Sequence, residues 1–326
     1  MRGTARRAPH MGGQQIAGVV CLTICALIWG FAFVAQVQGM DAVTPLFFNA
    51  SRFTLGAVSL IPILLVRRAR REPAPVASPR PVLANPIVVG VICGVVLFTA
   101  STLQQYGILY GKSAGRAGFL TALYIVIVPL LAFVFLRRRI GVLVGVAVAF
   151  SVAGFYLLCV TDGFGSIGLA DLLLLFTAVL FATHILVIDE LGSHVDAIAL
   201  SFIQFCTTAV LSWIGSAIEG SIDWQGAFAA WEPILYAGIG SVGIAYTLQA
   251  VGQQWVPPTQ ASLLMSLESF FSAVGGALFL GELMTPRGYL GCALIFLGTM
   301  LAQMPARLPA WLSRSSSASD RPRGRR

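Results

Sequence analysis

Glu268 lies near the middle of PTQASLLMSLESFFSAVGGALFLGE, an apolar run from Pro258 to Glu282 long enough to cross a bilayer as one helix. A charged residue at the centre of a span costs roughly 2.5–3.5 kcal/mol on insertion scales, so a carboxyl group there calls for a role. It can hold a proton or the amine of a substrate. It can also join helices as a protonated or paired group, and incidental placement is the third reading. Arg52 is the one other charged residue well inside an apolar run, because Asp171, Asp189 and Glu190 sit at segment ends. At 1.5 Å of rise per residue, Arg52 and Glu268 differ in depth by roughly 7–8 Å, which the two side chains together can bridge. An Arg52–Glu268 ion pair is therefore one expectation, and snorkelling of Arg52 to the outer interface is the other.

Uncharged polar groups extend the set. His184 titrates near neutral pH and can carry a proton, against a plainer role as a hydrogen-bonded packing residue. Gln104, Gln105 and Tyr106 either line a cavity or mark a helix end entering the interface. Gln249 and Gln253 are i, i+4 neighbours on one helix face. Trp255, beside Pro257-Pro258, reads as an interfacial anchor. No HExxH, GxSxG, P-loop or intramembrane aspartate pair occurs, so neither an enzyme nor a cofactor is expected. Cys21, Cys25, Cys93, Cys159, Cys206 and Cys292 fall inside or at the ends of apolar runs and read as small hydrophobes. Cys21 and Cys25 share a face, but no His or carboxylate stands nearby to complete a metal site.

The elements that position these residues follow from composition. The chain of 326 residues is 57% hydrophobic and only 10% charged, whereas a soluble domain carries about a quarter charged residues. Ten apolar segments recur: about Ile16–Val37, Pro45–Val66, Ile87–Leu109, Arg116–Leu136, Ile140–Val160, Leu169–Ile188, Ala197–Ile218, Pro233–Gly252, Pro258–Leu280 and Tyr289–Met304. Each is about twice the length that a barrel strand needs, which predicts an all-α membrane protein of ten transmembrane helices. The first run is too long for a signal-peptide core and lacks a small–x–small cleavage site, so it reads as an uncleaved span.

The net charge of +8 does not point to nucleic acid, since the basic residues cluster in short segments beside the apolar runs. With a cytoplasmic N-terminus, 17 of the 21 Lys and Arg residues fall inside, among them Arg67, Arg68, Arg70, Arg71, Arg80 and Arg137–Arg139. That distribution obeys the positive-inside rule and places the C-terminus inside as well. Residues 1–15 read as a basic cytoplasmic N-terminus, and 305–326 as a basic, disordered cytoplasmic tail near anionic lipid. The expected partners are the lipid bilayer and a small-molecule substrate. Gly90-xxx-Gly94 and Gly141-xxx-Gly145 allow close helix approach, within one chain or in a homodimer.

The chain also repeats. A shift of 152 residues lays the first two segments over the sixth and seventh, Arg52 onto Gln204. A shift of 144 lays the fourth over the ninth, Tyr124 onto Glu268, so Tyr124 is expected to face the same cavity. Five spans per copy is an odd number, so the second copy starts from the opposite side. The prediction is two inverted-topology five-helix repeats with a boundary near Gly163–Gly168, an arrangement common among secondary transporters.

The Trp29-Gly30 and Arg52-Phe53 pairs, the segment from Thr102 to Ala132 and the pattern SLLMSLES…GGALFLGE resemble the drug/metabolite transporter superfamily, EamA-type. The resemblance runs from Ile16 to Met304, with repeats at 16–162 and 169–304. It implies a cytoplasmic-membrane permease or exporter of small metabolites, such as amino acids or related compounds, working by alternating access. Glu268, Arg52, Gln104, Gln105, Tyr124, His184 and Gln249 are the candidates for substrate or proton binding. One departure is Ser269, where many members carry proline, which removes the usual cause of a kink there. The alternative reading is a membrane protein without transport activity, either a channel or an intramembrane enzyme.

Overall fold

The computed structural model describes residues 13–70, 85–137, 142–159, 167–192 and 195–302. The expected disordered ends, Arg71, Arg80, Arg138 and Arg139, and most of the expected boundary between halves lie outside the described residues. The helices are α1 (Gly13–Gly39), α2 (Pro45–Arg70), α3 (Pro86–Gly111), α4 (Ala114–Thr121), α5 (Tyr124–Leu136), α6 (Val142–Cys159) and α7 (Leu169–Gly192). Then come α8 (Ala197–Glu219), α9 (Trp224–Ala229), α10 (Trp231–Leu235), a π-helical stretch (Tyr236–Tyr246), α11 (Thr247–Gln253), α12 (Pro258–Phe279) and α13 (Pro286–Ala302). No strand occurs among the described residues.

Each of the ten expected segments falls on helix over its described residues. Among the described residues, seven stretches are long and apolar enough to cross a membrane: α1, Pro45–Arg67, α3, Ala114–Leu136, α7, α8 and Trp231–Gln253. Gly145–Leu158 and Leu264–Phe279 are apolar but shorter. Helix ends carry their own stop signals. Asn85 caps α3 by accepting from Ile87 N, and Asp196 caps α8 by accepting from Ala199 N, both at 2.9 Å. Gly220, with φ of 66°, ends α8 in the left-handed conformation that glycine adopts without strain.

Two segments are not plain α-helices. The fourth breaks at Ala122–Leu123, where Leu123 N bonds Leu120 O and Ile125 N bonds Ala122 O, both i to i−3. The break falls just before Tyr124 and not at Pro129. The eighth widens to π geometry over YAGIGSVGIAY, a form often found at functional sites. The ninth runs unbroken through Ser269, whose hydroxyl bonds back to Ser266 O at 2.8 Å.

The outside of the bundle is apolar. Ile16, Val20, Ile24 and Leu27 form an exposed stripe along α1, while Gly18, Leu22, Cys25 and Ala26 face inward. In water such a surface promotes association, whereas in lipid it is the solvated face. Inside, close approach depends on small residues. A Cβ on Gly154 of α6 would stand 2.6 Å from Gly291 O of α13, and one on Gly291 would stand 2.7 Å from Gly154 O. Gly90 and Gly94 seat α3 against Ile203 and Thr207 of α8, so that motif serves packing within the chain. In the second motif Gly145 has nothing within 4 Å, and Gly141 is outside the described residues.

Neighbour relations recur in pairs. Counted as ten segments, the first packs on the ninth and the sixth on the fourth; the third packs on the sixth and the eighth on the first. The second packs on the eighth and the seventh on the third. The second–seventh, fourth–ninth and fifth–tenth contacts join each segment to its own counterpart.

Candidate functional site

Where these segments converge they enclose a small polar chamber. On α1, Trp29, Phe33 and Gln36 share one face at i, i+4 and i+7 and form one wall. Arg52 enters from α2, Gln104 from α3, Thr121 from α4 and Tyr124 from the first residue of α5. The second half contributes Phe181 and Ile185 of α7, Ser241 and Tyr246 of the π stretch, Gln249 of α11 and Glu268 of α12. The free volume is about 30 Å³. A water needs roughly 10–15 Å³ on this measure, so the chamber holds water but not a metabolite.

Arg52 and Glu268 are only 2% and 3% exposed, yet they form no ion pair within 4.0 Å. The Arg52 guanidinium is held from its other side. Its Nε donates to Asn49 Oδ1 at 2.9 Å, and its plane lies 5.0 Å from the Phe53 ring centre and 5.6 Å from that of Phe48. Local partners one, three and four residues away thus occupy the group that was expected to reach for Glu268 or for the interface. Its Nη2 has no protein partner, and neither has Glu268 Oε1. The Tyr124 hydroxyl stands beside the Glu268 carboxyl outside hydrogen-bond geometry, and it too lacks a partner.

Gln36 Oε1 and Gln249 Oε1 complete a set of five buried polar atoms without partners around one chamber. Buried polar atoms are satisfied in the great majority of cases, so this concentration marks a place built to receive polar groups. The aromatic wall is braced across the halves. Trp29 donates to Ser241 O at 3.2 Å, and its ring meets Tyr246 edge-on at 4.7 Å.

The structure brings Glu268, Arg52, Gln104, Tyr124 and Gln249 to one chamber and sets Gln105 and His184 behind its wall. Gln104 donates to Thr121 Oγ1 at 3.4 Å. Gln105 donates to Gln36 O at 3.2 Å and so ties α3 to α1. His184 Nε2 pairs with Gln204 Oε1 at 3.0 Å, and its ring lies edge-on to Tyr246 without lining the chamber itself. Gln253 is one turn from Gln249 and borders a second pocket of about 280 Å³ with Asp189 and Trp255. Its amide reaches Ile185 O at 3.5 Å, between that pocket and the chamber. Gln36, Thr121, Ser241 and Tyr246 escaped the sequence reading. The polar residues Gln36 and Thr121 inside apolar runs were the available signal, whereas nothing in the glycine-rich eighth segment marked Tyr246.

Apolar helices around a chamber lined by unpartnered polar atoms define a multi-pass membrane protein. The model of the EamA-like transporter family matches residues 16–160 and 168–304, and the chain belongs to that family. An uncharacterized transporter of Archaeoglobus fulgidus is 26% identical over 298 residues, covering 90% of this chain and 88% of that one. The uncharacterized transporter YwfM of Bacillus subtilis is 26% identical over 291 residues, covering 87% and 93%. A solved crystal structure shares the fold with a TM-score of 0.64 at 21% identity, covering 88% of this chain and 96% of its own.

Proposed function

We propose that the protein is a secondary transporter of small zwitterionic metabolites, amino acids and related compounds, built from ten crossings in two inverted halves. One observation carries the substrate class. Two buried groups of opposite charge, Arg52 and Glu268, line one chamber without meeting, and each keeps an atom without a protein partner. A zwitterion completes both, with its carboxylate on Arg52 Nη2 and its ammonium on Glu268 Oε1 beside Tyr124. Gln104, Gln249 and Gln36 bracket the polar end, and Phe33, Phe181, Ile185 and the Trp29–Tyr246 pair take the side chain. Gln105 and His184 hold the walls in place.

The paired neighbour relations support the inverted repeat, since a two-fold relation between halves maps every major contact onto another or onto itself. The repeat segments matched by the family model, 16–160 and 168–304, agree with that division. The narrow chamber favours a carrier whose halves move apart over a standing pore. The arginine distribution supports an inner-membrane location with both termini cytoplasmic. On that reading the end bearing Arg67, Asp196 and Gln253 faces the cytoplasm, and the end bearing Lys112, Asp171 and Glu282 faces out.

Counterflow in proteoliposomes is the test. Vesicles preloaded with each member of an amino-acid panel receive trace labelled compound outside. Saturable uptake driven by the internal pool, for at least one member, is the expected result. Unsaturable flux, or no counterflow across the panel, refutes the proposal.

A further inference from the structure

Glu282, just past α12, reaches across to the other half. Its Oε1 accepts from Ala114 N at 2.6 Å, and its Oε2 accepts from Gly115 N at 3.1 Å and from the Ser113 hydroxyl at 2.9 Å. These are the cap and the first two residues of α4, where backbone N–H groups have no partner inside the helix. The carboxylate sits in a notch with Gly276 on its far side. A Cβ on Gly276 would come within 2.8 Å of Glu282 Oε2, and Glu282 N bonds Gly276 O at 3.0 Å. Gly281, at φ of 65°, turns the chain back so that Glu282 can enter.

The same place in the other half offers fewer donors. The repeat lays Ser113-Ala114 onto Pro257-Pro258, the cap and first residue of α12. Proline has no N–H to donate, and α12 has no side-chain cap bond. In the repeat alignment the residue matching Glu282 is Arg138, a cation in place of a carboxylate. Arg116–Asp171 and Tyr106–Glu219 also join the halves at the Glu282 end, and Arg67–Asp196 joins them at the other. α4 carries Thr121 and leads straight into Tyr124, so the capped end belongs to the helix that forms part of the chamber wall.

We infer that Glu282 is a latch that seals the chamber on its own face of the membrane, and that its release from the α4 N-terminus opens that face. The device is one-sided in the repeat: two of its three donors, the Ser113 hydroxyl and the Ala114 N–H, fall on Pro257 and Pro258 in the other half. This rests on the reading of two halves that move against each other. The test needs no substrate, so its failure is distinct from failure of the counterflow assay.

Ser241→Cys places a thiol in the chamber, to be labelled in oriented vesicles with a membrane-impermeant methanethiosulfonate ammonium reagent against the background of the native cysteines. Adding Glu282→Ala should speed labelling from the Glu282 face at least tenfold and leave the opposite face unchanged or slower. Gly276→Ala, which keeps Glu282 but fills its notch, should also speed labelling from that face only, and the double variant should add nothing further. Rates within twofold of the parent in both single variants overturn the latch. So does an equal rise from both faces, which is general loosening of the bundle.

Discussion

Glu268→Gln replaces the chamber's carboxyl group by an amide and changes almost no volume. Glu268 is 3% exposed, and its Oε1 has no protein partner, so the substitution breaks no protein hydrogen bond at that atom. What it removes is a charge-assisted bond to the ammonium of a bound zwitterion, worth roughly 1.5–3 kcal/mol. At about 1.4 kcal/mol per factor of ten, half-saturation for counterflow should rise about 10- to 100-fold. Stability should move the other way or not at all, because an incompletely paired buried carboxylate is costly and an amide less so. The checks are counterflow in proteoliposomes and the thermal midpoint of the purified protein in detergent. Glu268→Ala should also impair transport while inserting normally. Half-saturation and maximal rate within twofold of the parent would refute the assigned role. Loss of folded Glu268→Gln protein would show instead that the carboxyl holds helices together.

Arg52→Lys keeps the charge but loses the planar fork that serves Asn49, the two rings and the chamber at once, so half-saturation should rise about tenfold with folding retained. Equal kinetics in the two proteins would count against carboxylate binding there. Asp171 is buried and accepts from Arg116 at 2.8 and 2.7 Å and from Gly168 N at 3.1 Å. Asp171→Asn should lower stability by about 2 kcal/mol, read as a lower denaturation midpoint, and an unchanged midpoint would contradict it. Gly154→Ala sets a Cβ 2.6 Å from Gly291 O and should cost about 1–3 kcal/mol, whereas Gly145→Ala enters open space and should be neutral or stabilising. Similar midpoints for these two variants would refute the close α6–α13 crossing.

Much of the site was readable because a charge in an apolar run stands out wherever it lies. Glu268 and Arg52 could be picked from the chain for that reason, and the internal repeat added Tyr124 by aligning it with Glu268. The same argument failed for Tyr246 and Ser241. An aromatic ring or a hydroxyl in a span is ordinary, and only the packing of the π stretch turns these two toward the chamber. Gln104 and Gln105 are adjacent and chemically identical, so no pattern could say that one lines the chamber and the other braces α1. Helix rotation decides it.

Membrane class, helical segments and their approximate limits follow from the chain alone, because bilayer thickness and the need to satisfy every backbone group leave few alternatives. The ion pair was a matter of tertiary structure. Depth along two helices made an Arg52–Glu268 contact feasible, but Asn49 and the Phe48 and Phe53 rings, all within four residues on α2, hold the guanidinium back. Tertiary structure also decided that Glu282, a carboxylate at an expected helix end, spends its oxygens on the first turn of a helix about 170 residues earlier in the chain. Sequence places a charge in a layer of the membrane; only the assembled helices choose its partner, because that choice depends on rotation and on which backbone groups the neighbouring helix leaves unpaired.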